Sequence, residues 1–372
     1  MKQNKRKGQV ADSRDIYSNS RSAKHVKKSN GSKKRGWIVV LSIVLVLAIS
    51  AGFGYGYVMD KLNAIQRGEI NSSNVAVNED VFSKDVINIA LYGLDTYTEN
   101  GIGRSDAIMI LTVDKKHNKI KMTSIARDSY VYIDNKHGKD KITHAYVYKS
   151  KLADGTEIKG PELAVRVLNQ NFNLDITDYV TVRFIQLANI IDALGGVYVD
   201  VNAQERDVIN NVCVPSFAEE GITCKPVKKT GYQLLDGLQA VSYSRDRTTG
   251  SDIDRTNRQK EVLTAIFEQV KKKGLTKLNK LVDIGVSNCE TSLQNKEIIE
   301  LATWALTSSP TIESYTLPDK DCNPKHGNEA LVNGVWYYIY DLDIATKKIH
   351  DFINEEGYFA PVDETTNSTV SN

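Results

Sequence analysis

The sequence has little of what most enzyme signatures are built from. Its four cysteines form no C-x-x-C pair and no set with zinc-like spacing to histidine. Gly101-Ile-Gly103 is followed by no P-loop lysine, and G-x-G-x-x-G is missing, which excludes the usual nucleotide loops. There is no nucleophile elbow or credible serine triad, and the six histidines are scattered. Only His144 lies near a segment of interest, where a structural role is favoured over catalysis.

Charge is absent from one long run, Trp37 to Met59. About 20 apolar residues suffice for a helix to cross a bilayer, so this run predicts an uncleaved transmembrane helix. The 36 residues before it contain twelve Lys or Arg and two Asp. Basic flanks stay in the cytoplasm, which predicts a cytoplasmic N terminus and an external C-terminal part. A cleaved signal peptide is the alternative, but the apolar run continues beyond Ala48 and Ala51.

The basic tail is explained more simply by topology and contact with anionic lipid than by nucleic acid binding. Removing it from the chain totals of 48 basic and 46 acidic residues leaves 36 and 44, a net charge of −8. The predicted organisation is a cytoplasmic basic tail (1–36), a transmembrane helix (37–59), a polar stalk (60–84), an extracellular domain (85–360) and a disordered tail (361–372).

All four cysteines fall on the predicted external side, where the oxidising environment permits disulfides. The short segment between Cys213 and Cys224 favours one bridge, which leaves Cys289 to pair with Cys322. Three connectivities are possible, and the sequence alone does not choose among them.

Hydrophobic patterns predict an α/β fold. Residues 179–184 alternate like a strand, 185–194 have a helical pattern that ends at two glycines, and 197–201 form another strand pattern. Strand, helix and strand in so short a segment predict a βαβ unit within a sheet covered by helices. Further strands are predicted at 86–92, 107–113, 120–125 and 335–340, and helices from Gly160, at 235–241, 254–272, 296–307 and 342–354.

Charged residues occur where these apolar elements begin or end. In open α/β sheets, ligands bind beyond the strand ends, so this arrangement predicts a site there. Arg255, Arg258 and Gln259 are spaced to share one helical face, and Arg245 and Arg247 would share one face of an extended segment. Arginine is favoured for binding an anion with several oxygens, such as phosphate.

Two carboxylates, Asp95 and Asp106, are predicted near the same sheet edge. Mg²⁺ takes one or two carboxylates together with phosphate oxygens, so the pair suits a magnesium site beside a phosphate. The alternative is a set of ordinary surface ion pairs, which contribute little energy.

Several motifs in this order make the chain similar to the LytR-CpsA-Psr family of cell-wall ligases. The resemblance covers roughly residues 85–275 and includes the segments Arg104-Ser-Asp-Ala-Ile-Met, Ser124-Ile-Ala-Arg-Asp, Lys141-Ile-Thr-His-Ala-Tyr, Ile191-Asp-Ala-Leu-Gly-Gly-Val, Leu235-Asp-Gly-Leu-Gln-Ala-Val and Asp254-Arg-Thr-Asn-Arg-Gln. It implies an α/β/α sandwich with a mixed central sheet and an apolar tunnel for a polyprenyl chain. It also implies transfer of a glycopolymer, such as wall teichoic acid or capsule, from undecaprenyl pyrophosphate onto peptidoglycan.

The resemblance further implies roles for the charged residues. Asp95 and Asp106 would hold Mg²⁺ and, with Arg127, carry the catalysis. The residues implied to bind the pyrophosphate are Arg104, Arg127, Arg245, Arg247, Arg255, Arg258 and Gln259. Three alternatives stay open: a carrier-binding protein without turnover, a lipid pyrophosphate hydrolase, and the transcriptional attenuator suggested by the family's older name.

Overall fold

The computed structural model describes residues 60–355 except 61, 79–80, 97–102, 247, 251, 274–287 and 323–328. Within this part of the chain no helix is both long and apolar enough to span a bilayer. The predicted basic tail, transmembrane helix and disordered tail (1–36, 37–59 and 361–372) lie outside the described residues.

The described residues form a mixed α/β fold, as the sequence predicts. Its strands are β1 (Gln66–Arg67), β2 (Val86–Leu94), β3 (Ser105–Asp114), β4 (Lys119–Ile125), β5 (Tyr130–Asp134), β6 (Gly138–Lys141), β7 (Lys149–Lys151), β8 (Glu157–Lys159), β9 (Asp178–Arg183), β10 (Val197–Val201), β11 (Gly231–Leu235), β12 (Glu290–Thr291), β13 (Thr311–Leu317), β14 (Glu329–Val332) and β15 (Val335–Tyr338). Its α-helices are α1 (Gly160–Phe172), α2 (Phe184–Ala193), α3 (Ala203–Val208), α4 (Val214–Glu219), α5 (Gly237–Arg245), α6 (Asp252–Lys273), α7 (Asn295–Ser308) and α8 (Leu342–Asn354).

Seven strands form the central sheet in the order β1-β12-β9-β2-β3-β4-β13. β3 is antiparallel to both of its neighbours, β2 and β4. β9 is parallel to β2, and β13 is parallel to β4. The middle strands are buried along nearly their whole length, which is typical of strands covered on both faces. The helix predicted from Gly160 is confirmed as α1, and Leu163, Val167 and Phe172, which are spaced to share one helical face, are fully buried in the main core.

The βαβ prediction is wrong in its last element. β9 belongs to the central sheet, but β10 pairs antiparallel with β11 in a separate two-stranded sheet. Gly195 and Gly196 both adopt positive φ, of 74° and 92°, a conformation that glycine adopts readily and that ends α2. β10 then alternates buried and exposed residues, so only one of its faces packs on the protein.

The predicted stalk (60–84) is also corrected by the structure. β1 within it pairs with β12 as the outer strand of the central sheet, and Leu62 and Val75 are buried. Arg166 donates a hydrogen bond to the Asn74 carbonyl at 2.6 Å, which ties this segment to α1. These residues therefore belong to the folded domain rather than to a separate stalk.

None of the four cysteines takes part in a disulfide, so neither predicted bridge is formed. Cys289 precedes β12 and Cys322 follows β13, and four strands separate β12 from β13. That separation is about 24 Å, whereas Cα atoms joined by a disulfide lie within about 7 Å. Cys213 and Cys224 are both buried beside Ser242, and burial raises the pKa of the Cys224 thiol to about 11.

A buried ion-pair network fixes the end of α8 to β4. The Lys121 ammonium group is fully buried and donates to Asp114 Oδ2 at 2.8 Å and to the Ile353 carbonyl at 2.7 Å. Asp114, His117 and Glu355 bring three potential metal-ligand atoms within 4.8 Å of one another. Lys121 already supplies a cation there, 2.8 Å from Asp114 and 3.1 Å from Glu355, so the cluster is an ion-pair network rather than a metal site.

We expect Lys121→Met to lower the free energy of unfolding by about 3–5 kcal/mol, because breaking a buried pair leaves one charge uncompensated. Urea unfolding measures the change. The exposed Lys347, which pairs with Asp351 on α8, provides the control Lys347→Met, expected to change stability by less than about 0.5 kcal/mol. Equal effects of the two substitutions would contradict a stabilising role for the buried network.

The effect of Lys121→Met should also depend on pH. Burial raises the pKa of Asp114, but hydrogen bonds from Lys121 and His117 outweigh it and hold that pKa below its ordinary value. A lowered carboxyl pKa stabilises the fold above the unfolded-state pKa, and this contribution is lost as pH falls through the folded-state pKa. The difference between wild type and variant should therefore shrink below about pH 4.

Candidate active site

The ends of four strands meet at one edge of the central sheet. β2 ends at Leu94, which pairs with Arg183, the last residue of the parallel strand β9. β3 is antiparallel to both β2 and β4, so its first residues lie at the same edge as Ile125, the last residue of β4. Asp95 and Arg127 lie just beyond these ends, as the sequence predicts for a site at the strand termini.

A β-bulge sets the position of Asp106. Gly93 pairs with Ala107, but the next residue, Leu94, pairs with Ser105, so Asp106 is the extra residue of β3. A bulge bends its strand and changes the direction of a side chain, and bulges are frequent beside active sites. Here the bulge places a buried carboxylate beside the predicted arginines.

Asp106 is bound by two of those arginines. Arg127 Nη1 lies 2.8 Å from its Oδ1, and Arg255 Nη1 lies 3.8 Å from its Oδ2. Arg127 Nε also donates to Asp128 at 3.3 Å, and Lys141 Nζ lies 2.7 Å from the other oxygen of Asp128. A chain of alternating charges thus runs from the strand edge to Lys141.

Arg245 lies beside the second carboxylate of the site. Its Nη2 is 3.8 Å from Asp95 Oδ1. The guanidinium group lies over the Phe184 ring at 4.1 Å and near the Phe217 ring at 5.6 Å, so cation–π contacts orient it. The predicted extended segment is wrong at this point, because Arg245 is the last residue of helix α5.

Arg258 has a different environment from Arg255. Its guanidinium donates to the carbonyls of Thr249 at 3.0 Å and Asp246 at 2.7 Å, and lies 3.7 Å from Glu205. Burial raises the pKa of Asp246, but hydrogen bonds from Thr249 and Thr248 outweigh it and lower that pKa. Arg258 therefore holds the loop before α6 and does not line the cavity at the strand edge.

Of the remaining predicted residues, Gln259 lines the cavity and Arg104 does not. Gln259 lines the cavity together with Arg255, which lies one helical turn before it. Arg104 is exposed and does not line the cavity, although its carbonyl accepts a hydrogen bond from Asp95 N at 3.1 Å. Arg247 lies outside the described residues. The predicted shared face thus holds for Arg255 and Gln259 but not for Arg258.

A cavity of about 320 Å³ opens at these charged residues and continues between the sheet and the helices. Its mouth carries both carboxylates together with the arginines of α5 and α6. Its walls are largely apolar and include Leu91, Met109, Val180, Val182, Leu187, Val208, Val212, Val262 and Leu263. The shape suits a ligand with an anionic head and an apolar chain.

Two features of the cavity were not predicted as parts of the site. Arg183 lines it, and its Nε has no hydrogen-bond partner among the described residues. Arg183 lies at the end of a strand, and this position predicts a site residue there just as it does for Arg127. The second feature is a π-helical turn, Ile209–Cys213, whose Val212 and Cys213 line the cavity. Such turns are common at functional sites, but no sequence pattern predicts them.

The donor set at the mouth fits Mg²⁺. Asp95 and Asp106 line the same cavity, and carboxylate oxygens are the ligands that Mg²⁺ prefers. Within the described residues, no group of three metal-ligating side chains occurs there. Two carboxylates suffice when phosphate oxygens and water complete the coordination, which makes magnesium binding dependent on a phosphate ligand.

Comparison with known proteins agrees with this geometry. The LytR_cpsA_psr family model matches residues 53–351. The polyisoprenyl-teichoic acid–peptidoglycan teichoic acid transferase TagU of Oceanobacillus iheyensis is 31% identical over 82% of this chain and 88% of the relative. The corresponding transferase TagT of Bacillus subtilis is 30% identical over 82% of this chain and 90% of its own length.

Solved structures resemble the described fold as well. TagT bound to LI-WTA has a TM-score of 0.55 and 27% identity, covering 77% of this chain and 94% of that one. TagT with bound octaprenyl pyrophosphate lipid has a TM-score of 0.54 and 26% identity, covering 77% and 99%. Since the family model spans most of the chain, this protein belongs to the LytR-CpsA-Psr family.

Proposed function

We propose that this protein is a membrane-anchored phosphotransferase that moves a glycopolymer from a polyprenyl pyrophosphate carrier onto peptidoglycan. The observation that carries the proposal is the cavity with apolar walls and a mouth that holds arginines beside two carboxylates. The names of the transferases TagU and TagT, and the lipid bound to TagT, support the same assignment.

The apolar walls would take the polyprenyl chain, and the mouth would take the pyrophosphate. Arg245 lies beside Asp95 and Arg255 lies beside Asp106, so both guanidinium groups are available to phosphate oxygens bound at the two carboxylates. Gln259 adds an amide donor, and Arg183 adds a guanidinium group. Arginine suits this task because its planar fork binds two phosphate oxygens at once.

Asp95 and Asp106 would hold Mg²⁺ against the pyrophosphate, where it would neutralise charge on the phosphate oxygens. Arg127 keeps the Asp106 carboxylate in place through the 2.8 Å contact and adds positive charge beside it. Phosphoryl transfer needs mainly alignment of the reacting groups and compensation of negative charge, and these residues can provide both.

The transfer forms one bond and breaks another. A hydroxyl oxygen of the acceptor sugar attacks the phosphorus that bears the glycopolymer, and the phosphoanhydride bond to the carrier breaks. The acceptor proton passes to a nearby carboxylate such as Asp95, and the carrier leaves as polyprenyl phosphate, its new charge stabilised by the arginines. In the hydrolase alternative, water replaces the sugar hydroxyl.

We further infer that the domain is an α/β/α sandwich. Adjacent residues of a strand point to opposite faces of a sheet. Tyr315 of β13 contacts Phe352 of α8, with ring centroids 5.6 Å apart, whereas Thr316 donates to Asn257 of α6 at 3.4 Å. α8 and α6 therefore cover opposite faces of β13, which supports the three-layer arrangement.

For localisation, we propose that residues 37–59 anchor the chain in the membrane with the domain outside. The basic residues on only one side of the apolar run support this orientation. The anchor would keep the domain close to a lipid carrier, which raises the effective concentration of that substrate.

Arg127→Ala should lower kcat for polymer transfer by about 10²–10³-fold, because the variant loses charge stabilisation worth about 2.7–4 kcal/mol in the barrier. Transfer by the purified full-length protein from a lipid-linked glycan donor measures the effect. Arg206→Ala is the control, since Arg206 is a partly exposed arginine that pairs with the neighbouring Asp207 and does not line the cavity. Wild-type turnover by Arg127→Ala would contradict the assignment. Product analysis with and without peptidoglycan separates transfer from hydrolysis.

Chelation of divalent cations should abolish transfer, and added Mg²⁺ should restore it in the wild type. Asp106→Asn keeps the shape of the side chain but removes the charge that would hold the ion, so we expect it to weaken Mg²⁺ binding at least tenfold. Calorimetric titration with Mg²⁺ in the presence of a polyprenyl pyrophosphate measures this directly. Asp343→Asn, on the first turn of α8, is the control. Unchanged Mg²⁺ affinity in Asp106→Asn would exclude the assigned metal site.

Protease added to intact cells should digest the C-terminal domain and leave the N-terminal tail protected. Antibodies to the two ends of the chain follow the two fragments. A protected C terminus would contradict the proposed topology and would instead favour the transcriptional attenuator.

A further inference from the structure

A second concave surface lies on the other side of helix α6 from the cavity. This groove has a volume of about 1160 Å³ and is bounded by the two-stranded β10–β11 sheet, by α6 and by Ser314 of β13. Its volume is larger than that of the first cavity, and most of the residues that line it are polar or charged. A groove of this kind suits an extended hydrophilic ligand better than a lipid chain.

Two tyrosines form an aromatic surface on the β10–β11 sheet. Tyr198 of β10 and Tyr232 of β11 stack with ring centroids 5.5 Å apart and an angle of 21° between the rings. Tyr232 is 74% exposed, more than any other large hydrophobic residue in the described part of the chain. A paired, exposed aromatic surface at the edge of a groove is typical of a binding site, because it offers a broad apolar face with polar tips.

Polar groups lie beside this aromatic surface and across the groove from it. Asp200, which pairs with Tyr232 on the sheet, and Glu268 of α6 both line the groove, and their carboxylates form no hydrogen bond or ion pair with the described residues. Asn257 and Lys260 of α6 add an amide and an ammonium group. Carboxylates, amides and an ammonium group beside an aromatic face match the hydroxyl groups and apolar ring faces of a sugar chain.

The groove is rigid because the β10–β11 sheet is fixed to α6. The buried Gln269 donates to the carbonyl of Gly196, just before β10, at 3.1 Å, and Lys272 lies over the Tyr198 ring at 5.6 Å. The Tyr243 hydroxyl of α5 donates to Glu261 of α6, which holds these two helices together. Both walls are therefore held in place before any ligand arrives, which lowers the entropic cost of binding.

Helix α6 connects the groove to the candidate active site. Arg255, Gln259 and Val262 line the cavity, whereas Asn257, Lys260 and Glu261 line the groove. Asn257 lies at the end of the groove near the start of the helix, two residues from both Arg255 and Gln259. A chain lying in the groove can therefore extend around the helix start toward the arginines proposed to bind the pyrophosphate.

We propose that the groove between α6 and the β10–β11 sheet binds the acceptor polysaccharide strand, with Tyr198 and Tyr232 stacking against its sugar rings. The proposal rests on the proposed function, since the acceptor role requires transfer from the carrier. Tyr198 and Tyr232 are binding residues in this assignment and take no part in the chemical step.

Tyr232→Ala in the full-length protein should raise KM for a peptidoglycan glycan fragment roughly tenfold, as expected for the loss of one stacking contact. KM for the lipid-linked donor and the acceptor-independent hydrolysis rate should stay unchanged. Direct titration with oligomers of N-acetylglucosamine, in the absence of donor, should give a matching loss of affinity. The Tyr198→Ala/Tyr232→Ala double variant should lose more affinity for these oligomers than Tyr232→Ala does.

Two matched variants control for folding and aromatic character. Tyr232→Phe keeps the ring and should bind the acceptor like the wild type. Leu331→Ala removes another exposed side chain, 70% accessible on β14, and should change neither KM. Failure of the proposed function would appear as an absence of transfer by the wild-type chain.

Failure of the groove assignment would appear in an active chain. Wild-type acceptor KM and oligosaccharide affinity in the double variant would overturn it. A rise in donor KM with unchanged acceptor KM would also overturn it, because the groove would then bind the polymer on the donor.

Discussion

The buried carboxylate of Asp106 is the constraint on which the arrangement of the site depends. A charge taken out of water is costly unless it is paired, and Asp106 lies at the end of the central sheet with little access to solvent. Arg127 reaches it from the end of β4, and Arg255 reaches it from α6, which fixes the start of that helix against the sheet. Because α6 also carries Gln259 and Val262, the same ion pairs determine the shape of the cavity.

Local sequence patterns predicted most of the helices and the middle strands of the central sheet, but not β13 or the short strands β5 to β8. The central strands were recognisable because they are buried on both faces and therefore read as apolar runs, and α1 because its buried face repeats with helical spacing. The pairing of β10 was not predictable from β9 and α2 alone. It depends on β11, which lies thirty residues later in the sequence and whose exposed face gives a weak pattern. Likewise, the composition of 60–84 gave no sign that β1 completes the sheet.

For the candidate site, residue type and position relative to strand ends predicted which residues would gather there. Asp95, Asp106 and Arg127 were brought together because the ends of antiparallel and parallel neighbours meet at one sheet edge, whereas Arg245 reaches Asp95 from the end of helix α5. Helical spacing failed for Arg258 because the loop at Asp246 and Thr249 offers buried carbonyl groups that need a donor. That requirement follows from the path of the loop, which the sequence does not reveal.

Helix α6 separates the cavity from the groove, and this separation bears on how two polymers could be joined. A reaction between two large substrates needs both reactive groups held close together while the remainder of each chain stays apart. The two faces of α6 provide that separation, since one lines an apolar cavity and the other a polar groove. Arg258 lies between them, bound to Glu205 of the groove and to Asp246 of the cavity. The wall that divides the two substrates is thus built from buried ion pairs, and its rigidity keeps the acceptor from entering the lipid cavity.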